Sequence, residues 1–372
     1  MFTVGILAWI KNFLEKYFRA LKAVDDGAFG MVPFICRLIA GGIVKQHNRI
    51  LGAMAAMFLG ACADTGIETE ISADSARSAC SVELIILGAG QDAGAPQIGN
   101  PKDPAWDDPA LKLSPTSLAI VDHESGQRFL FEATPQITQQ LNLLDTLAPG
   151  TGEDLAVSGV FLSHAHIGHY AGLIYFGREA AGASGVPIYA MPRMAAYLQS
   201  NGPWGQLVDL ENIQMTELED RVPQTLSAAI QVTPYRVPHR DEYSETVGFV
   251  IETARKSVLF VPDIDSWDEW ETEFDVRLED MLSEVDLAFV DATFYDDHEL
   301  PGRDMSLIPH PRVAGTMERL ANQPAEFRSR VNFIHYNHTN PIRFTNSDET
   351  REVYDRGFKV ARASDRHCLE PG

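Results

Sequence analysis

The chain has 372 residues, 45% hydrophobic and 22% charged, a balance that buries a large core and excludes disordered and fibrous classes. A formal net charge of −22 excludes nonspecific attachment to nucleic acid or to an anionic membrane surface, since both need a positive field. An acidic substrate stays compatible with it, because a bound metal reverses the sign locally.

In chain order the first informative stretch is "KQHNRILGAMAAMFLGAC", residues 45–62. A basic segment, an apolar run of about a dozen residues and small residues before a cysteine are the layout of a secretory signal. The ending "LGAC" is similar to a bacterial lipobox, in which Cys62 is lipidated and begins the mature chain. This predicts a lipid-anchored protein of the bacterial cell envelope, facing the periplasm or the exterior. Residues 1–44 make such a signal long, so the expected initiator is Met31 or Val44 and residues 1–62 are taken as the signal segment. "ADTGIETEISADSARSACS", residues 63–81, is small and polar without period and reads as a tether. The four cysteines, Cys36, Cys62, Cys80 and Cys368, have no CxxC spacing, which argues against a cysteine zinc site and a disulfide framework.

From residue 82 to 372 the pattern predicts one catalytic domain. Strands are expected at "VELIILGAG", "TSLAIVD", "RFLFEAT", "VSGVFLSH", "IQVTPYRV", "TVGFVIET", "SVLFVPD", "LAFVDAT" and "VNFIHYNH". Helical patterns lie between them at "TPQITQQLNLLD", "HYAGLIYFGREA", "SWDEWETEFDVRLEDMLSEV" and "PRVAGTMERLA". Mostly apolar strands need cover on both faces, so two packed sheets with helices outside are expected, an α/β layered domain.

Chemistry-bearing residues gather where these strands stop. "SHAHIGH" carries His164 and His166 two apart beyond a strand, on one side of an extended chain, and His169 where a turn can fold it back. Later strand ends offer His239, then Asp263 and Asp265, then Asp291, Asp296 and His298, then His335 and His338. Histidines and carboxylates recurring at strand ends are the donor set of a metal centre. "LGAGQDAG" is one position too long for GxGxxG and is followed by Pro96, which argues against a nucleotide loop; "GVFLSHAH" lacks GxSxG, so Ser163 is not a serine nucleophile.

The order HxHxGH, "VPHRDEYSETVGF", "VLFVPD", "FIHYNH" resembles the metallo-β-lactamase superfamily, whose signature is HxHxDH followed by a histidine, an aspartate and a last histidine. "LGAGQDAGAPQIGN", "EATPQITQQL", "DATFYDDHEL" and "HYNHTNPI" are similar to segments of the pyrroloquinoline quinone biosynthesis protein B family. The resemblance implies a four-layer αββα sandwich with the site at one edge between the sheets. It implies a first metal site of His164, His166 and His239, a second of His169 and His335, and Asp263 bridging them, with Glu132 in the early acid motif. Zinc, one ion or two, is the implied cofactor; iron or manganese also suits the donors. The cysteine-rich stretch after "PQ" in that family is replaced here by "IGNPKDPAW". Biosynthesis of that cofactor is cytoplasmic, whereas the signal here points outward.

Gly168 stands where the signature has aspartate, which removes an oxygen ligand and a negative charge from the second site. Repulsion between two cations then rises, and weak binding of the second is expected. Asp92 is the candidate to supply the lost charge from across the cleft. Gly168→Asp is expected to raise occupancy of the second position. The expected activity is hydrolysis of an ester, amide or phosphodiester in a small-molecule substrate, with Asp263, His338 and His298 as catalytic residues and His310 and Tyr336 as further proton donors by type. The alternatives are an iron-dependent oxygenase on the same scaffold and an inactive, surface-anchored binding protein. Trp106, Trp204, Trp267 and Trp270 are candidates for a specificity cleft or for core packing.

Overall fold

Every residue of the strand Val82–Gly88 is buried, which requires cover on both of its faces. The computed structural model describes residues 80–151 and 155–372; the signal and nearly all of the tether lie outside them. In chain order the first strands are β1 (Val82–Gly88), β2 (Ser117–Asp122), β3 (Gln127–Phe131), β4 (Gly159–Phe161), β5 (Val186–Ala190), β6 (Ile213–Glu217) and β7 (Gln224–Thr225). They are followed by β8 (Gln231–Arg236), β9 (Val247–Glu252), β10 (Ser257–Val261), β11 (Leu287–Asp291), β12 (Val331–Ile334), β13 (Lys359–Val360) and β14 (Arg366–Glu370). They build two seven-stranded sheets, ordered β14-β1-β2-β3-β4-β5-β6 and β13-β12-β11-β10-β9-β8-β7.

The period of two along each strand divides the apolar residues between layers. Leu84 and Ile86 of β1, with Leu118, Ile120, Phe129, Phe131 and Phe161, join the core that includes Phe249, Ile251 and Phe260 of the other sheet. The Phe131 ring lies 4.8 Å from Phe161 in its own sheet and 5.4 Å from Phe249 across the gap. Ile85, Leu87, Ala119 and Leu130 point the other way, onto Ile137 and Leu144 of the helix Ile137–Leu147 and onto Met194 and Leu198 of the helix Pro192–Ser200. Helices thus cover the outer face of the first sheet. On the second, Trp267, Trp270, Leu278 and Leu282 from the helices Trp267–Phe274 and Leu278–Glu284 join the core. This is the expected αββα sandwich.

All nine expected strands form, while β5, β6, β7, β13 and β14 carried too little local signal. The long pattern from Ser266 to Val285 divides into two helices, because Asp275 adopts φ 54° and turns the chain after Phe274. "HYAGLIYFGREA" is a single helical turn, Ile167–Tyr170, followed by a 3-10 segment, Ala171–Phe176.

One expectation is overturned: Cys80 and Cys368 form a disulfide, their Cα atoms 5.7 Å apart. The two are separated by 288 residues, so no spacing rule finds them. Antiparallel pairing of β14 with β1 sets Glu83 opposite Cys368 and brings Cys80 to the same end. Arg366 reinforces the pairing through Glu83, with both nitrogen–oxygen distances at 2.6 Å. Cys36 and Cys62 lie outside the described residues. Among the described residues no helix is long and apolar enough to cross a membrane.

Candidate metal centre

Strand direction explains why the ligands converge. Strands β10, β11 and β12 run parallel, and β8 runs parallel to β10 because each pairs antiparallel with β9. Their C-terminal ends, which lead to Asp263, Asp291, His335 and His239, therefore share one edge of the second sheet. In the first sheet β3 and β4 are also parallel, and Glu132 and His164 follow their ends. The two edges are tied together: Val247 N–H donates to Ser163 O at 3.1 Å, and Gly90 bridges to Tyr336.

The centre is one carboxylate ringed by imidazoles. Asp263 Oδ2 lies 3.2 Å from His239 Nε2, 3.5 Å from His164 Nε2, 3.7 Å from His169 Nε2 and 3.9 Å from His335 Nε2. Candidate ligand atoms fall into groups whose members lie within 4.8 Å of one another: His164, His166, His239 and Asp263; His169, Asp263 and His335; and Asp263, Asp291 and His310. The first two groups share Asp263, so the fold can present two adjoining positions bridged by one carboxylate.

The opposite ring nitrogens are held from behind. His239 Nδ1 donates to Asp265 Oδ1 at 2.6 Å, His164 Nδ1 shares a hydrogen bond with Ser163 Oγ at 2.8 Å, and His335 Nδ1 meets Thr293 Oγ1 at 3.1 Å. His169 Nδ1 lies 3.5 Å from Glu132 Oε1, a buried carboxylate on backbone at φ 75°. Anchoring one nitrogen this way turns the other toward a metal and fixes its tautomer. The inward atoms are buried without partners: His164 Nε2, His169 Nε2 and His335 Nε2 make no hydrogen bond. Proteins rarely leave such atoms unsatisfied, and the set matches the appetite of a divalent cation for neutral imidazole and carboxylate.

Charge follows the same geometry. Burial by itself would raise the Asp263 carboxyl, yet His239 and His335 beside it hold it well below the usual carboxylate range. Burial pushes His164 well below its ordinary value, helped by His169, and brings His335 down to about 4 against the pull of Asp263. These two rings are neutral near pH 7, the form that binds metal. Burial also opposes charge on His239, but Asp263 and Asp265 outweigh it and lift the ring to about 10. In the metal-free protein His239 therefore holds a proton that metal must displace.

The remaining candidates separate clearly. His298 is exposed, its backbone N–H donating to Asp296 Oδ1 at 2.8 Å in a tight turn, and it belongs to none of the three groups. His338, half-buried, is likewise outside them, its carbonyl accepting from Arg343 at 2.7 Å. Tyr336 is buried and donates to Ala361 O at 3.0 Å, a packing role. Trp267 and Trp270 are core residues, whereas Trp106 is exposed. The arrangement that spacing missed is His310 with Asp291: Nδ1 lies 2.9 Å from Asp291 Oδ2 and 3.3 Å from Asp263 Oδ1. His310 stands in a loop 19 residues beyond Asp291, so only the fold joins them.

Gly168 has a steric explanation. A Cβ at this position would lie 2.5 Å from Asp92 Cα and 2.9 Å from Asp92 O, backbone atoms that cannot swing aside. The expectation that Gly168→Asp restores a ligand therefore meets a steric obstacle: the backbone at Asp92 would have to shift first. That variant should instead lose about 1–3 kcal/mol from forced overpacking. Denaturant unfolding of the variant beside the wild type measures this, and unchanged stability would show that the Asp92 loop yields.

Two layered sheets with histidines and carboxylates at the C-terminal ends of their strands define a protein of the metallo-β-lactamase type. Residues 127–336, more than half of the chain, match the β-lactamase superfamily domain, and the chain belongs to that superfamily. It is 28% identical over 306 residues to coenzyme PQQ synthesis protein B of Rhizobium meliloti (strain 1021), covering 75% of this chain and 95% of the relative. The protein of the same name from Methylorubrum extorquens is 26% identical over 306 residues, covering 75% and 97%. Among solved structures, Zn(2+)-bound PqqB from Methylobacterium extorquens superposes with a TM-score of 0.62 at 20% identity, over 77% of this chain and 99% of that one. A diphosphatase from the PhnP family superposes with a TM-score of 0.55 at 18% identity, over 77% and 96%. At such identities these two structures speak for the fold.

Proposed function

We propose that this chain is a metal-dependent hydrolase of an ester, amide or phosphodiester bond in a small molecule. The observation that carries this reading is the single Asp263 oxygen ringed by His164, His169, His239 and His335, with His310 beside the other oxygen. His164, His166, His239 and Asp263 would hold one ion, and His169, His335 and Asp263 would contribute to a second. A divalent ion held there supplies Lewis acidity and lowers the pKa of bound water. Asp263 would balance the charge, Asp265 and Ser163 orient the imidazoles, and His310, steadied by Asp291, is our candidate for the group that gives a proton to the leaving atom. Zinc suits this donor set, and iron or manganese would be accepted by the same ligands.

The disulfide supports an outward location, because such bonds persist in oxidising compartments and are rare in the cytosol. Together with the signal-like segment ending at Cys62, it favours an envelope protein anchored by lipid. Steady-state assays of the zinc-loaded protein on aryl ester, β-lactam and bis-aryl phosphodiester substrates test the activity. His310→Ala is expected to lower kcat about 10²–10⁴-fold, and unchanged metal content in that variant would separate a proton-donor role from ligation within the Asp263, Asp291 and His310 group. Stoichiometric metal without turnover on any of them would turn the reading toward a binding protein. Iron with oxygen consumption would turn it toward an oxygenase, the alternative suggested by the resemblance to the PQQ synthesis proteins.

A further inference from the structure

We infer that Asp92 supplies to the second metal position the carboxylate that residue 168 cannot carry. The inference rests on the metal reading above. Three observations on different elements lead to it. The first is the close approach at Gly168: the space where a side chain at 168 would begin holds the backbone of Asp92, 2.5 Å from the Cβ position. The helical turn gives up its side chain, and an aspartate arrives at the same place from another loop.

The second is how firmly that loop is set. Gln91 N–H donates to Tyr336 O at 3.0 Å and Tyr336 N–H to Ala89 O at 3.0 Å, so residues 89–91 are paired with the residue that follows His335. On the other side Gln136 Nε2 donates to Ala93 O at 3.2 Å, and Thr116 N–H donates to Gly90 O at 2.7 Å. Asp92 itself is half-buried with φ 48°, the left-handed region that asparagine and aspartate tolerate better than other non-glycine residues.

The third is what waits at the position. His169 and His335 are fully buried, each has an Nε2 with no hydrogen-bond partner, and with Asp263 they make only three donors. Asp92 Cα lies 2.5 Å from the Cβ position of residue 168, so its short side chain starts beside the residue that precedes His169. The Asp92 carboxylate is outside the group of atoms within 4.8 Å of one another in the metal-free protein; turned inward, it would complete a four-donor set for the second ion and offset the charge that two neighbouring cations accumulate. The sequence pattern HxHxGH then marks a ligand moved to the loop "GAGQDAG", and not a lost site.

Calorimetric titration of metal-free protein with Zn2+, repeated with Co2+ while its visible absorption is recorded, tests this without an activity assay. Wild type is expected to take up two ions. Asp92→Asn preserves size and backbone preference, and is expected to keep the first ion at unchanged affinity while the second weakens at least about tenfold to a hundredfold, the range seen for ligand-supporting groups. Unchanged first-site binding in the variant also reports that it is folded. Two ions bound by Asp92→Asn with wild-type affinities would overturn the inference and leave the metal centre standing. A single ion bound by the wild type would also overturn it, because no second position would exist for Asp92 to serve. A folded wild type that binds no ion would overturn the metal reading itself.

Discussion

Asp263→Asn is expected to empty both metal positions. Asp263 Oδ2 is the atom that the two ligand groups share, with four imidazole nitrogens between 3.2 and 3.9 Å away. The two flanking aspartates are already engaged: Asp265 holds the back of His239, and Asp291 is bound by His310 and by the backbone N–H groups of Ile264 and Thr293. The loss extends to the metal-free fold, since His239 would lose its buried partner Asp263 and keep only Asp265. Breaking a buried charge pair from one side costs about 3–5 kcal/mol. Elemental analysis and denaturant unfolding of the same sample read both effects. Retention of two ions would show that the site forms without the Asp263 carboxylate.

Cys368→Ser is expected to cost about 3–5 kcal/mol, the range for losing a bond that closes a long loop. Here the loop spans 288 residues and joins the first strand of the described domain to its last. The covalent tie holds β14 on the edge of β1, where the exposed Arg366 pairs with the buried Glu83. Without it β14 is an edge strand with one neighbour and should fray first. Unfolding of the variant, and of wild type with and without reductant, checks this. Coincident unfolding curves would mean that the thiols are not bonded in the protein as made.

What was legible in the sequence was whatever local pattern encodes. The nine apolar runs became strands because a sheet buried on both faces needs continuous apolar sequence, and the histidines and aspartates of the central cluster could be picked out because most follow such a run. Edge strands such as β6, alternating and short, gave too weak a signal. Contacts between distant segments were illegible for a different reason. The pairing of Cys80 with Cys368 and of His310 with Asp291 each depends on which strand ends the topology makes neighbours. His298 and His338 show the converse error: each follows a strand-end motif, yet one is turned outward by a tight turn at Asp296, and neither joins a ligand group. Residue type at a strand end selects candidates, and loop geometry decides among them.

The most direct measurement is the metal content of the protein purified without added metal, by elemental analysis beside Asp263→Asn prepared in the same way. Stoichiometric divalent metal is expected in the wild type, two ions per chain when both groups are filled, and none held tightly in the variant. A folded wild type that carries no ion, and takes up none when zinc, iron or manganese is offered, would contradict the assignment of this cluster as a metal centre.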